Sequence, residues 1–244
     1  MARVLDYVMR VGPLLTAPSC VAPARVVDPP IREPRWEERI DDGEDGDGWI
    51  AMEGGRDGGW CTFADQVGSS VWPAPVASAG VRGCEGQPVA FTMSKGGREP
   101  SRFAARVTGT VAKAPVVYTA LAFDFRQPRG PYDASAYSGV SFDARRGPSA
   151  TGKVRFMVSG ASTDPAGGRC TECFNHFGAD LQVTDAWQRY VFPFGALRQL
   201  SGWGAPRPPR LESDALFSLV WQTQDQGAAV DLWIDNVAFI PAKG

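Results

Sequence analysis

The sequence predicts an all-β chain, an antiparallel β-sandwich of the jelly-roll type, on three observations. Apolar residues alternate with period two in one segment after another. Glycine and proline are plentiful, 28 and 20 of 244 residues, and collect between those segments as turn residues. Helix signals are confined to a single turn within PFGALRQL, Pro193 to Leu200. A hydrophobic content of 43% is enough to fill a core.

Residues 1–35 stand apart from the rest. Arg3 and Arg10 precede the short apolar stretch VGPLLTAPS and then Cys20, the order of a signal peptide with a lipidated cysteine. The competing reading is an unstructured or misassigned start. Pro18, Pro23, Pro29, Pro30 and Pro34 crowd the segment before Trp36, as in a stiff extended tether. With neither a second linker nor an internal repeat, residues 36–244 read as one domain.

Within that domain the strands come in sequence. PVAFTM (Pro88 to Met93) and RFAARVTG (Arg102 to Gly109) are the first, and VVYTALAFDF (Val116 to Phe125) is a long mixed strand. YSGVSFDA begins at Tyr137. In KVRFMVS, Val154, Phe156 and Val158 alternate with Arg155 and Met157. RYVFPF, LFSLVWQ and DLWIDNVAFI complete the set, and RQPRGPYDAS and SGWGAPRPPR are the clearest breaks.

Composition excludes several functions. The net charge of -2 makes nucleic acid and anionic membranes poor partners. No apolar run reaches the roughly 18 residues of a membrane helix. There is no G-x-S-x-G elbow, no phosphate loop ending in GK[ST] and no H-E-x-x-H. A glycosidase needs only two suitably spaced carboxylates, so that class stays open.

IDDGEDGDGWI, Ile40 to Ile50, places Asp41, Asp42, Glu44, Asp45 and Asp47 among three glycines. It is not an EF-hand: position 3 would be Gly43 and position 12 Met52. A solvated loop and half of a calcium site are the two readings. At the far end, LWIDNVAFI surrounds Asp235 with apolar residues, a costly place for an unpaired acid.

Those two segments, with YSGVSFDARRG and TDAWQRYVFPFGALRQLSGWG, resemble the galactose-binding-like jelly rolls, in particular carbohydrate-binding modules of family 11 and their relatives. The resemblance runs over about residues 38–240. It implies that the first and last strands lie together and hold a structural Ca2+. Glu44 and Asp235 are the ligands it carries over, Asp47 is a third candidate, and a carbonyl of SKGGRE a fourth. Gly43 stands where the family has an aromatic residue, and Asn236 where it has a second acid. Trp187, Trp203 and Trp233 fall in the family-like motifs and are expected in the core.

Five cysteines leave four if Cys20 is an anchor. Closeness in sequence favours Cys61–Cys84 and Cys170–Cys173 as disulfides, with free thiols as the alternative. CTECFNHFG could also hold a metal through Cys170, Cys173 and His176, although no fourth ligand is evident. His176, the only histidine, either packs this loop or faces a ligand. In the resembling modules sugars lie across a concave sheet face. Arg155, out of phase with its apolar neighbours, Trp221 and Gln222 at the head of a polar run, and His176 are the residues expected on such a face here.

The expected function is non-catalytic binding of a polysaccharide or glycan by an exported, surface-tethered module stabilised by Ca2+, in the extracellular space or cell envelope. A protein-interaction module for assembly, a structural envelope module without a sugar ligand, and a glycoside-active enzyme are the rivals. Nothing in the sequence sets the oligomeric state.

Overall fold

Alternation buries one side of each strand, and the chain closes on that rule into two antiparallel sheets. The computed structural model describes residues 25–26, 34–75, 84 and 90–242. Its strands are β1 (Arg25–Val26), β2 (Arg39–Asp41), β3 (Trp60–Ala64), β4 (Ser70–Trp72), β5 (Ser94–Lys95), β6 (Phe103–Thr110) and β7 (Thr119–Asp124). They continue as β8 (Tyr137–Arg146), β9 (Lys153–Gly160), β10 (Phe177–Gln182), β11 (Gln188–Pro193), β12 (Leu216–Thr223) and β13 (Ala229–Pro241). Among the described residues, one sheet runs β1-β11-β8-β13-β6-β4, with β2 on β13 and β5 on β6. The second, five-stranded, runs β10-β9-β12-β7-β3.

This is the expected β-sandwich, with differences of detail. PVAFTM is not a strand where it is described: Phe91 and Met93 are buried, but pairing starts only at Ser94. WCTFA and FGADLQ, not anticipated, form β3 and β10. The helical turn is a short 3-10 turn, Phe194–Ala196. Arg25–Val26 pairs with Tyr190 and Val191, so part of the segment read as a tether extends the larger sheet. Cys20 lies outside the described residues.

The core fills the space between the sheets with aromatic rings. Trp221 of β12 lies 5.7 Å from Trp60, 5.5 Å from Phe156 and 5.1 Å from Phe142, centroid to centroid. Phe142 belongs to the opposite sheet, so this cluster joins the layers. Asp41 reaches into it and accepts a hydrogen bond from the Trp60 indole at 2.5 Å. Burial raises the Asp41 carboxyl to about 7, against the bonds from Gly43 and Trp60 that favour its charge.

β13 is the long strand of the larger sheet, and it is bulged. Its register with β8 shifts between Asp235 and Ala238, and Asn236 adopts φ +50°. Asparagine tolerates that left-handed conformation better than most residues. Its side chain then donates to Asp143 at 3.0 Å. Asp143 faces outward from β8 yet is fully buried, because Arg189 binds it through two nitrogens at 2.6 and 2.7 Å and Arg98 covers it as well.

The expected disulfides are formed, Cys61–Cys84 and Cys170–Cys173. The first pins Cys84 to the outer side of the five-stranded sheet, in a small apolar cluster with Ala120, Ala122, Met157 and Val220. The Cys84 amide donates to Asp124 at 2.8 Å.

Two outcomes follow for stability. The first bridge spans 23 residues, so Cys61→Ala/Cys84→Ala should lower unfolding free energy by about 3 kcal/mol in urea titrations. The folded pKa of Asp41 lies above its reference value of 3.8, so folding takes up a proton. The stability this group contributes is complete below about pH 4 and is lost as the pH rises through about 7. Measured against Asp41→Asn, the wild-type chain should therefore lose on the order of 2 kcal/mol between about pH 5 and pH 8.

Candidate functional site

On the five-stranded sheet, outward residues fall in rows set by the register. One row pairs Asp180 of β10 with Arg155 of β9, and Arg155 with Gln222 of β12. With the exposed pair Gln182–Lys153 beyond it, this is the open part of the face among the described residues. The next row is Gly178, Met157, Val220, Ala122 and Cys61. Its side chains are buried beside Cys84. The row beyond, Ser159, Ser218 and Asp124, is buried too, with the Asp124 carboxylate held by Arg129.

In the open row each side chain has a hydrogen-bonding neighbour, although the Arg155 Nε itself has none. Arg155 donates to Asp180 at 2.8 Å and to the Arg198 carbonyl at 2.9 Å. Gln224 donates to Gln222 at 3.1 Å. The Asp180 side chain is 68% exposed, the Arg155 side chain 13%. Arg155 thus lies along the sheet, presenting its edge rather than projecting into solvent.

The loops beyond the β10 edge supply aromatic surface. Arg198 exchanges two backbone bonds with Gly178, which fixes the start of the 198–203 segment against β10. Asn175 then binds the carbonyls of Leu200 and Trp203 at 2.9 and 2.6 Å. Both loops carry exposed rings: Phe174, 63% exposed, and Trp203, 43% exposed. Phe174 has φ +75°, a conformation that costs energy for a bulky residue.

The anticipated ligand residues divide. Arg155 and Gln222 lie in the open row. Trp221 does not: it is 1% exposed and central to the core, because strand alternation turns it inward once Gln222 turns out. His176 does not face solvent either. Its Nδ1 pairs with the Thr163 hydroxyl at 2.9 Å, and burial lowers its pKa to about 4. The Cys170–Cys173 bridge removes both thiols from any metal set. Trp203, expected in the core, is at the surface. Asp180, Gln224, Phe174 and Trp203 were missed; the Phe177-Ala179-Leu181 alternation would have placed Asp180 outward.

A hollow of about 510 Å³ lies elsewhere, between Ser135–Ser138 and Arg210–Asp214. Its rings are already used: Tyr137 stacks on Phe239 at 4.3 Å and Phe194 is buried. It offers no aromatic platform comparable to Trp203.

The calcium expectation meets a different chemistry. In the acidic loop, Asp41, Asp42, Asp45 and Asp47 each accept the backbone N–H two residues on, so the acid–glycine spacing builds successive Asx turns. Asp47 is exposed and caps Trp49. Glu44 accepts from the backbone of Arg102 and Phe103 at 2.6 and 2.9 Å, and from the Arg102 side chain at 2.9 Å. Asp235 accepts from the amides of Arg98 and Asn236, both at 2.7 Å. Burial, more than the nearby Asp143, raises it to about 7. Among the described residues no three His, Cys, Asp or Glu converge as a metal site. Glu44, Asp47 and Asp235 therefore do not form one three-carboxylate cluster. Backbone N–H groups donate to all three carboxylates, and the Arg102 side chain to Glu44.

No family model matches the chain, and no curated protein matches it. Solved structures do. The family 11 carbohydrate-binding module of the cellulosomal cellulase Lic26A-Cel5E of Clostridium thermocellum superposes with TM-score 0.54 at 16% identity, over 84% of this chain and 95% of that one. A family 11 module from Clostridium thermocellum in complex with a β-1,3-1,4-mixed-linked tetrasaccharide gives TM-score 0.53 at 16% identity, over 81% and 96%. The fold is that of a family 11-like jelly roll.

If Glu44 acts through hydrogen bonds, EDTA or millimolar Ca2+ should leave the melting temperature unchanged. Glu44→Ala should cost about 1–3 kcal/mol equally in either condition, read by calorimetry.

Proposed function

We propose that this chain is a non-catalytic carbohydrate-binding module acting outside the cytoplasm, in the extracellular space or cell envelope. The observation that carries the reading is the open row Asp180–Arg155–Gln222, crossing three adjacent strands, while the exposed rings of Phe174 and Trp203 lie farther along the β10 edge, on loops that run away from Gly178. Oriented polar groups can meet sugar hydroxyls, and aromatic faces can meet the apolar faces of pyranose rings. The shared fold, and the mixed-linked tetrasaccharide bound by one of the similar modules, make a β-glucan the first ligand class to test. Two disulfides support an oxidising compartment. Export and a lipid anchor at Cys20 remain part of this proposal. The exposed carboxylate of the row, Asp180, is tied to Arg155 and serves to orient it, a binding role rather than one half of a catalytic pair.

One observation favours a protein partner instead. Phe174, Leu200 and Trp203 are exposed together on neighbouring loops. The test separates the two. Native gels cast with mixed-linkage glucan, xylan or galactan should retard the full chain. Arg155→Ala and Trp203→Ala should each weaken that retardation by about tenfold, while Trp72→Ala, on the other sheet, should leave it intact. If a folded sample migrates freely through all the polysaccharides, the carbohydrate reading fails and the interaction module replaces it.

A further inference from the structure

The outer face of the larger sheet carries a second organised set of side chains, unrelated to the open row. Arg106 of β6, Trp233 of β13 and Arg145 of β8 stand side by side in register. The guanidinium carbons lie over the Trp233 ring at 4.4 Å for Arg106 and 4.1 Å for Arg145. Trp187, at the start of β11, continues the stack over Arg145 at 5.2 Å. Gly96 closes the end: a Cβ there would lie 3.6 Å from the Trp233 ring and 3.5 Å from the Arg145 Nη2.

The two arginines differ in what neutralises them. Arg106 makes a two-point ion pair with Asp231, at 2.8 and 2.9 Å. That pair uses both oxygens of Asp231. Arg145 has no carboxylate within ion-pair distance among the described residues. Its hydrogen bond, to the Gly96 carbonyl, is a long 3.5 Å. The stacked rings hold its plane in place without meeting its charge. Partial burial, with Arg106 nearby, lowers its pKa even though Asp231 acts the other way. The Trp233 indole Nε1 is buried there without a hydrogen-bond partner.

We propose that Arg145 is the centre of a second binding site, for the carboxylate of a uronic-acid unit in an acidic polysaccharide. A fixed planar guanidinium presents a two-donor edge that matches a planar carboxylate. Because the side chain is already ordered by the rings, binding loses little rotamer entropy. The partly buried Trp187 beside it gives the sugar ring the edge of an apolar surface. Lys95, exposed and next to Gly96 in the chain, supplies another cation for a following uronate. A single uncompensated guanidinium suits one carboxylate per sugar better than a phosphate or sulfate, whose tetrahedral oxygens call for several donors at once.

The experiment is affinity electrophoresis of the full chain in polygalacturonate, in fully methyl-esterified polygalacturonate and in mixed-linkage glucan. Retardation by the acid form and not by the ester is expected. Arg145→Gln should weaken it at least about tenfold, Arg145→Lys should not restore it, and Arg155→Ala should leave it unchanged. Equal retardation by the ester, or by Arg145→Gln, overturns the proposal. So does retardation by dextran sulfate that exceeds that by polygalacturonate. Should Arg145→Gln misfold, the wild-type chain still decides: oligogalacturonate must shift the indole N–H resonances of Trp187 and Trp233. Unmoved resonances overturn the site. Because Arg155→Ala affects only the glucan arm, failure here and failure of the β-glucan reading are separable.

Discussion

The carboxylate of Asp143 has no exposure to water, and the packing of the larger sheet is arranged around it. A buried charge left alone would cost several kcal/mol. Here Arg189 of β11 takes both oxygens, Arg98 arrives from the loop after β5, and Asn236 comes from the bulge of β13. Four separate stretches of chain thereby meet at one side chain. Removing any donor would leave the others facing an incompletely solvated anion. The left-handed turn at Asn236 and the bulge around it follow from the same demand, since they aim the amide at Asp143.

Much of the fold was legible because burial imposes period two on the sequence. Val154, Phe156 and Val158 declare their face without help from any neighbour. Legibility ended where a side chain's direction depended on pairing. Trp221 sits next to Gln222, and its polar successors suggested a surface; register with β7 and β9 turns it into the core. Trp203 shows the converse error. It belongs to a motif that resembles core sequence, yet it lies in a loop held by its own backbone carbonyl on Asn175. The row Asp180–Arg155–Gln222 joins residues from three strands, and local pattern could not announce that juxtaposition.

The acidic loop is instructive for the same reason. Its composition suits calcium, and so does its resemblance to a family with a structural ion. What composition could not show is where the competing donors are. Arg102 and the 98–103 segment lie against Glu44 and Asp235 only once β5 and β6 have folded. Amide and guanidinium groups then tie the first loop to the neighbourhood of the last strand. Those hydrogen bonds by themselves make a mechanical link between the two ends of the domain.

The Cys61–Cys84 bridge has a consequence for reach. By holding Cys84 against the middle of the five-stranded sheet, it leaves open, among the described residues, the end of the face that carries the Asp180–Arg155–Gln222 row and the Gln182–Lys153 pair, three strands and two inter-strand gaps wide, roughly 10 Å. A polymer crossing so narrow a strip touches few of its units at once and leaves quickly. Firm residence on a polysaccharide would then come from numbers. Neighbouring copies held on a common support raise the local concentration of sites, and each rebinding delays escape.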